Sequence, residues 1–405
     1  PIGPSPASES YLRGDRIIEV AKSAKCDAIH PGYGFLAENA QFAEAINENG
    51  LIFVGPSPES MRLMGDKLSA RNTARSQGVP TTPGVFEPIT DLEEAKKIAA
   101  DIGYPVILKA AAGGGGKGMR LVESERELER AFERAVSEVE KSFGDRAVFI
   151  EKYIANAKHI EIQVMADGHG HVAHLYERDC SVQRRYQKVI EETPGPTLTD
   201  AIRHEMGEAA VAVAQACDYM GAGTIEFIFD LDEEKYYFLE MNTRIQVEHP
   251  VTEMVTGIDL VREQLQVAGG AKLSFKQSDV EQRGSAIECR IYAEDPEHNF
   301  APSTGRIRHL ILPTGPGIRI DSGVIEGDEV SRFYDPMLMK LVVWDSDRER
   351  AIRRMTGALE EMMIVGVATP IAFNLEALRD QRFVAGDYTT HFIETRKQNE
   401  PCAGK

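Results

Sequence analysis

Long apolar runs are missing from this sequence. None approaches the ~20 residues that a membrane-spanning helix needs, and no secretory pattern opens the chain. Cysteine is sparse and scattered. Cys26, Cys180, Cys217, Cys289 and Cys402 are odd in number and none forms a CxxC pair, so they suggest neither a disulfide framework nor a zinc site. A reducing, cytoplasmic setting is expected. Positive charge is also in deficit, with 46 Lys and Arg against 64 Asp and Glu and a net charge of −18. That balance argues against a nucleic-acid backbone as the main partner. What remains is the composition of an ordinary globular protein, 42% hydrophobic and 27% charged. Its 405 residues are enough for two or three domains with substantial cores.

Punctuation divides the chain. DRIIEVAKSAKCDAIHPGYG reads as a helix, a short strand and a Gly-rich turn, and LIFVGPSPESMRLMGD repeats strand, turn and helix. Such alternation predicts an α/β unit with a parallel sheet, over residues 1–80. A second unit, 81–153, begins with the helix DLEEAKKIAADIG and the strand YPVILKA. It continues through the glycine loop AAGGGGKGMR, the strand MRLVES, a helix of about twenty residues from Ser124, and AVFIEKYI. The rest, 154–405, holds two hairpins separated by an Ala-rich helix, then short strands and a helix over 347–363. Asp167-Gly168 supplies the first hairpin turn.

Three features carry chemistry. Gly113, Gly114, Gly115 and Gly116 free the backbone to wrap an anion, and Lys117 adds charge. The Walker A pattern fails there, because Ala111 and Gly118 stand at two of its fixed positions. The loop is therefore expected as a flap between two strands, mobile until an anion organises it. Lys109 interrupts the apolar run entering it, and burying an ammonium requires an anion, for which a phosphate is the economical choice. In the second hairpin Glu226 and Glu240 should lie opposite each other, an arrangement that repels unless a hard cation intervenes, with Asn242 as a third oxygen. Finally, EMNTRIQVEHP alternates: Glu240, Asn242, Arg244, Gln246 and Glu248 would share one face of an extended strand.

Glycine flap, preceding lysine, EKYI and the Glu…Glu-x-Asn hairpin resemble the ATP-grasp fold. IHPGYGFLAEN, MGDK, GGGGKGM, RDCSVQRRYQKV and EMNTRIQVEHPVTEM, in that order, resemble the biotin carboxylases, through essentially the whole chain. The resemblance implies an α/β and α+β architecture: a truncated Rossmann-like N-terminal domain, a small mobile lid and a C-terminal mixed domain. It implies that ATP phosphorylates bicarbonate to carboxyphosphate and that the released CO₂ is captured by biotin. It places Lys67, Lys109, Gly113 to Gly116, Gly118, Met119, Glu151, Lys152, Ile154, His159, Gln183, Glu226, Ile228 and Glu240 at ATP. Glu226, Glu240 and Asn242 are expected to hold Mg²⁺ or Mn²⁺. Lys188, Arg244, Gln246, Val247, Glu248 and Arg290 are expected at bicarbonate and biotin, with Tyr33 near the biotin ring. Glu248 would be the general base and Arg290 the stabiliser of the biotin enolate, with Arg244 and Lys188 completing the catalytic set.

MLMKL at 337–341 echoes a biotinylation site but lacks the preceding Glu-Ala, so biotin is expected on a separate carrier protein. The other implied partners are a second copy of the chain, as a homodimer, and a carboxyltransferase subunit; neither nucleic acid nor membrane is implied. His169, His171 and His174 are set aside as a metal cluster, because they flank a hairpin turn. Family members open with a further strand, turn and helix, so roughly fifty residues of the first sheet are expected to be missing, leaving strand edges open. Two other readings remain. A different ATP-grasp ligase would share the flap and the carboxylate pair but lack RIQVEHPVTEM together with RRYQKV, and a non-catalytic ATP-binding subunit would have lost Glu248 or Lys188. The final acceptor, whether acetyl-CoA, propionyl-CoA, methylcrotonyl-CoA or pyruvate, is not encoded in these motifs.

Overall fold

The computed structural model describes residues 1–110, 119–143 and 148–398. The glycine loop, with Gly113 to Gly116, Lys117 and Gly118, lies outside the described residues. Near the N-terminus, α1 (Gly14–Ser23), β1 (Ala28–Ile29), α2 (Ala40–Glu48) and β2 (Ile52–Phe53) form the expected α/β alternation. β1 and β2 pair in parallel, Ala28 with Ile52 and Ile29 with Phe53. Ile18, Phe42, Ile46 and Phe53 close a small core between them. Two helices follow, α3 (Pro58–Gly65) and α4 (Lys67–Ser76). Asp66 ends the first and caps the second by accepting the Ser69 N–H, which sets Lys67 at the first position of α4.

The next unit is a four-stranded antiparallel sheet in the order β3 (Gly84–Ile89), β6 (Val148–Lys152), β4 (Val106–Ala110), β5 (Met119–Val122). α5 (Leu92–Ile102) and α6 (Glu125–Phe143) pack Ala95, Ala99, Leu128 and Phe132 against Val106, Leu108 and Ile150, giving this unit a core of its own. Lys109 pairs with Met119, so β4 and β5 flank residues 111–118 in sequence.

The remainder is built on one eight-stranded antiparallel sheet. Its order is β11 (Lys235–Asn242), β10 (Gly221–Asp230), β7 (Ala157–Ala166), β8 (Val172–Arg184), β9 (Gln187–Thr193), β12 (Ser285–Tyr292), then the strands Met337–Asp345 and Ile318–Ser322. α7 (Asp200–Ala216), capped by Thr199, buries Met206, Ala210 and Val213 against Ile160, Ile162, Val164 and Phe227 of this sheet. Both hairpins form where expected; in the first, Asp167 Oδ1 accepts the His169 and His171 N–H groups and fixes the turn. The mixed α/β and α+β architecture is as expected. No described helix is long and apolar enough to cross a membrane.

One expectation fails. EMNTRIQVEHP is not a continuous strand: β11 stops at Asn242, residues 243–248 bend and turn, and α8 (His249–Thr256) begins. The ladder with β10 ends at Thr224–Asn242, and the next N–H, that of Thr243, goes instead to the Glu38 carboxylate at 3.1 Å. Pro250, which cannot donate to a ladder but suits a helix's first turn, completes the switch. The five polar groups therefore converge by folding back, not by sharing a strand face.

Candidate active site

The site grows from a row of charges across the sheet. Glu240 pairs with Glu226, Glu226 with Glu161, and Glu161 with Arg178, on β11, β10, β7 and β8 in turn. Three acids side by side repel, and between the buried Glu226 and Glu161 water cannot screen the repulsion. Cations from neighbouring positions compensate. The Lys188 ammonium on β9 donates to Glu161 Oε2 at 2.5 Å and to Glu226 Oε1 at 3.3 Å, and contacts Glu248. Burial alone would lower the Lys188 pKa, but these three carboxylates outweigh it and hold the ammonium charged. Arg178 is fully buried and donates to Glu161 (2.6 Å), Gln163 (2.7 Å), Thr252 (3.0 Å), Thr224 (3.2 Å) and Gln246 (2.7 Å).

Glu226 is a hub. It accepts from Asn242 Nδ2 at 2.9 Å and Gln246 Nε2 at 2.7 Å, and lies 2.9 Å from His159 Nε2. Burial would raise its carboxyl, but Lys188 and His159 outweigh that and keep it below the usual range. Gln183 in turn sits 3.5 Å from His159 Nδ1, and Ile228, half-buried, is the register partner of His159. Glu240 differs from its neighbour: its side chain reaches solvent yet is crowded by protein. Its carboxyl is raised by desolvation and by Glu226, with Lys67 opposing.

Glu248 ends the turn that precedes α8 and is almost fully buried. Its Oε1 meets Lys188 and its Oε2 accepts from Arg290 Nη2 at 2.9 Å. Burial disfavours its charge, but Lys188, Arg290 and Arg178 prevail and leave it a carboxylate well below the ordinary pKa. Arg290, on β12, also donates from Nε to Glu191 at 2.6 Å. Arg244 lies in the bend, donating to Glu38 (2.9 Å) and to Asn242 Oδ1 (2.9 Å). Lys340 donates to the Val247 carbonyl at 2.8 Å and stands 5.9 Å from the centre of the Tyr33 ring, whose hydroxyl pKa burial and Glu288 raise.

Two expectations from sequence are amended. The Lys109 ammonium already has a protein anion, Glu151 Oε2 at 2.7 Å, whose other oxygen meets Arg71 at 2.7 Å. Its burial therefore does not by itself demand a phosphate. The Asn242 oxygen offered to a metal is held by Arg244, and its amide nitrogen is the group facing Glu226. Lys152 braces the four-stranded unit by donating to the carbonyls of Gly103 (2.9 Å) and Tyr104 (3.2 Å), and Ile154 follows in the half-buried segment linking this unit to the large sheet. Met119 opens β5 directly after the glycine loop.

Sequence reasoning passed over Glu161, Arg178, Glu38, Lys340, Glu191 and Glu288. Several lie in or beside quoted motifs, but the signal that separates them, a charge buried in a strand, is visible only once the strands are paired. Glu191 and Glu288 face each other on β9 and β12. Burial and Glu248 push Glu191 up to about 7 against the pull of Arg290, and burial and Glu191 raise Glu288 well above the usual carboxylate range. A carboxyl raised on folding stabilises the fold when protonated. Its contribution is complete below the unfolded value of ~4.5 and fades as pH rises through about 7. Between pH 5 and 7.5 the wild-type protein should lose more thermal stability than Glu191→Gln, which mimics the protonated acid. Parallel melting-temperature profiles would exclude Glu191 as the source of the pH dependence.

Three family models cover nearly the whole chain. Residues 1–61 match the biotin carboxylase N-terminal domain, 66–276 the ATP-binding domain of the carbamoyl-phosphate synthase L chain, and 288–395 the biotin carboxylase C-terminal domain. Biotin carboxylase 1 of Bacillus subtilis is 52% identical over 97% of this chain and 88% of its own length. The biotin carboxylase of a Nostoc species is 50% identical over 97% of this chain and 88% of its own. Among solved structures, the biotin carboxylase domain dimer of Hydrogenobacter thermophilus 2-oxoglutarate carboxylase, in complex with MgADP, ADP and bicarbonate, superposes with a TM-score of 0.91. It is 46% identical, covering 98% of this chain and 87% of that one. The chain belongs to the biotin carboxylase family.

Proposed function

We propose that this protein carboxylates biotin, presented by a separate carrier protein, at the expense of ATP and bicarbonate and through carboxyphosphate. The observation that carries the assignment of roles is the Glu248 carboxylate bridging Lys188 and Arg290. A buried carboxylate between two cations is held charged, and so is ready to accept a proton from bicarbonate. As bicarbonate takes over these cations, Glu248 loses their stabilisation and becomes a stronger base. The oxygen so deprotonated attacks the γ-phosphorus, ADP leaves, and carboxyphosphate breaks down to CO₂ and phosphate. Lys188 and Arg244 hold the anion, and Gln246 orients it beside Glu226. The phosphate released with CO₂ takes the proton of the biotin ureido nitrogen, Arg290 steadies the negative charge this leaves on the ureido oxygen, and the nitrogen then bonds to CO₂. Tyr33, beside Lys340, is assigned to the biotin ring.

Lys67, Lys109, Glu151, Lys152, Ile154, His159, Gln183 and Ile228 are assigned to ATP together with the glycine loop. Mg²⁺ or Mn²⁺, when bound, would neutralise the ATP phosphates. Glu226 and Glu240 fit it: an accessible carboxylate raised by its neighbour across the hairpin is the arrangement a hard cation relieves. Asn242 Oδ1 can join them on the lone pair that Arg244 does not use. A homodimer and a carboxyltransferase partner are inferred from the relatives, and the acceptor is chosen by that partner.

The test is bicarbonate-dependent release of ADP coupled to carboxylation of free biotin. Glu240→Gln should lower both by about 10- to 100-fold or more, since even groups behind metal ligands matter that much. It should not lower the melting temperature, because it removes a repulsion. Unchanged turnover would take Glu240 out of the metal site.

A further inference from the structure

A register shift in the β7–β8 pairing between Ile162 and Val164, with Tyr176 at φ 65°, reorients β8 partway along its length. His174 consequently lies under α7. There one donor atom each of His174, His204 and Glu208 fall within 4.8 Å of one another. We propose that these three side chains form a site for a zinc-class transition-metal dication, separate from the catalytic centre.

The set has the chemistry of such a site. Two imidazoles and a carboxylate suit Zn²⁺ and leave a fourth position for water. His204 and Glu208 are one helical turn apart and project from the same face of α7. His174 comes from the sheet, only 4% exposed, and its Nδ1 is buried without a hydrogen-bond partner. Buried ring nitrogens ordinarily find a partner, so this unpartnered ring beside His204 and Glu208 points to a missing ligand. Gly207 is what admits the ring: a Cβ at that position would fall 2.6–2.8 Å from three of its atoms. The site would tie α7 to β8, the strand that also carries Arg178 and Gln183.

The experiment titrates ZnCl₂ into the protein by calorimetry, with excess Mg²⁺ present to occupy the nucleotide carboxylates. One Zn²⁺ should bind per chain and raise the melting temperature. His204→Ala and Glu208→Gln, both at exposed positions, should fold normally, weaken zinc by at least about 10-fold and abolish the thermal gain. Co²⁺ should give ligand-field absorption in the wild type and not in His204→Ala. His169→Ala, on the neighbouring turn, should leave all three readouts intact. Absence of stoichiometric zinc binding, or binding that both ligand variants retain, overturns the proposal.

Discussion

Arg290→Gln is expected to slow carboxylation of free biotin by about 10²- to 10³-fold, the usual effect of removing a donor aimed at a developing oxyanion. Its Nε and Nη2 are engaged by Glu191 and Glu248, whereas Nη1 makes only a long 3.4 Å contact with the Tyr292 hydroxyl among the described residues. Nη1 is thus the donor left for substrate. Bicarbonate-dependent ADP release should fall less, because Lys188 and Arg178 still keep Glu248 ionised and, in the proposed assignment, Lys188 and Arg244 still hold the anion. Glu248→Gln should depress both activities, since no base remains to start the first step. Parallel assays of ADP and carboxybiotin separate these outcomes. Equal loss of both activities in Arg290→Gln would reassign that residue to bicarbonate binding.

Arg178→Met is expected to cost about 3–5 kcal/mol of stability, the range for breaking a buried ion pair from one side. The loss is electrostatic before it is steric. Glu161 would remain fully buried beside Glu226 with Lys188 as its remaining cation, and Gln163, Thr224, Gln246 and Thr252 would lose a shared donor. The double variant Glu161→Gln, Arg178→Met should recover part of the loss, because it removes the uncompensated charge along with its partner. Urea midpoints measure both. A single-variant loss below about 1 kcal/mol would reduce Arg178 to a packing residue.

Local signals lead far into this fold. The two hairpins, the helices and the opposition of Glu226 and Glu240 follow from periodicity, turn residues and spacing, because those features are decided by near neighbours in sequence. The path after Asn242 escapes such reasoning for the converse reason. Alternation of Glu240, Asn242, Arg244, Gln246 and Glu248 is what a strand would show, but a strand needs a partner, and β10 offers none beyond Thr224. What bends the chain there is Glu38, brought in from the N-terminal unit to take both Thr243 N–H and Arg244. Arg178 and Lys340 are illegible likewise. Nothing in LYERD or MLMKL shows that one side chain will collect five bonds inside a sheet or that the other will pin the Val247 carbonyl. The continuation of the central sheet past residue 284 is invisible too, since the sequence there shows only short strands and not which edge they join.

That continuation has a consequence for how the protein can be taken apart or recombined. The family models place β9 and β12 in different domains, yet the strands are adjacent in one sheet, Cys289 opposite Ile190 and Glu288 opposite Glu191. Lys188 and Arg290, the two cations on Glu248, therefore stand on opposite sides of a domain border that is itself a hydrogen-bonded ladder. Such a border cannot act as a hinge. Nor can it serve as a free crossover point. A chimera that joins the ATP-binding half of one carboxylase to the C-terminal half of another must inherit β9 and β12 as a matched pair, because a slip of one residue would turn Arg290 to the wrong face of the sheet.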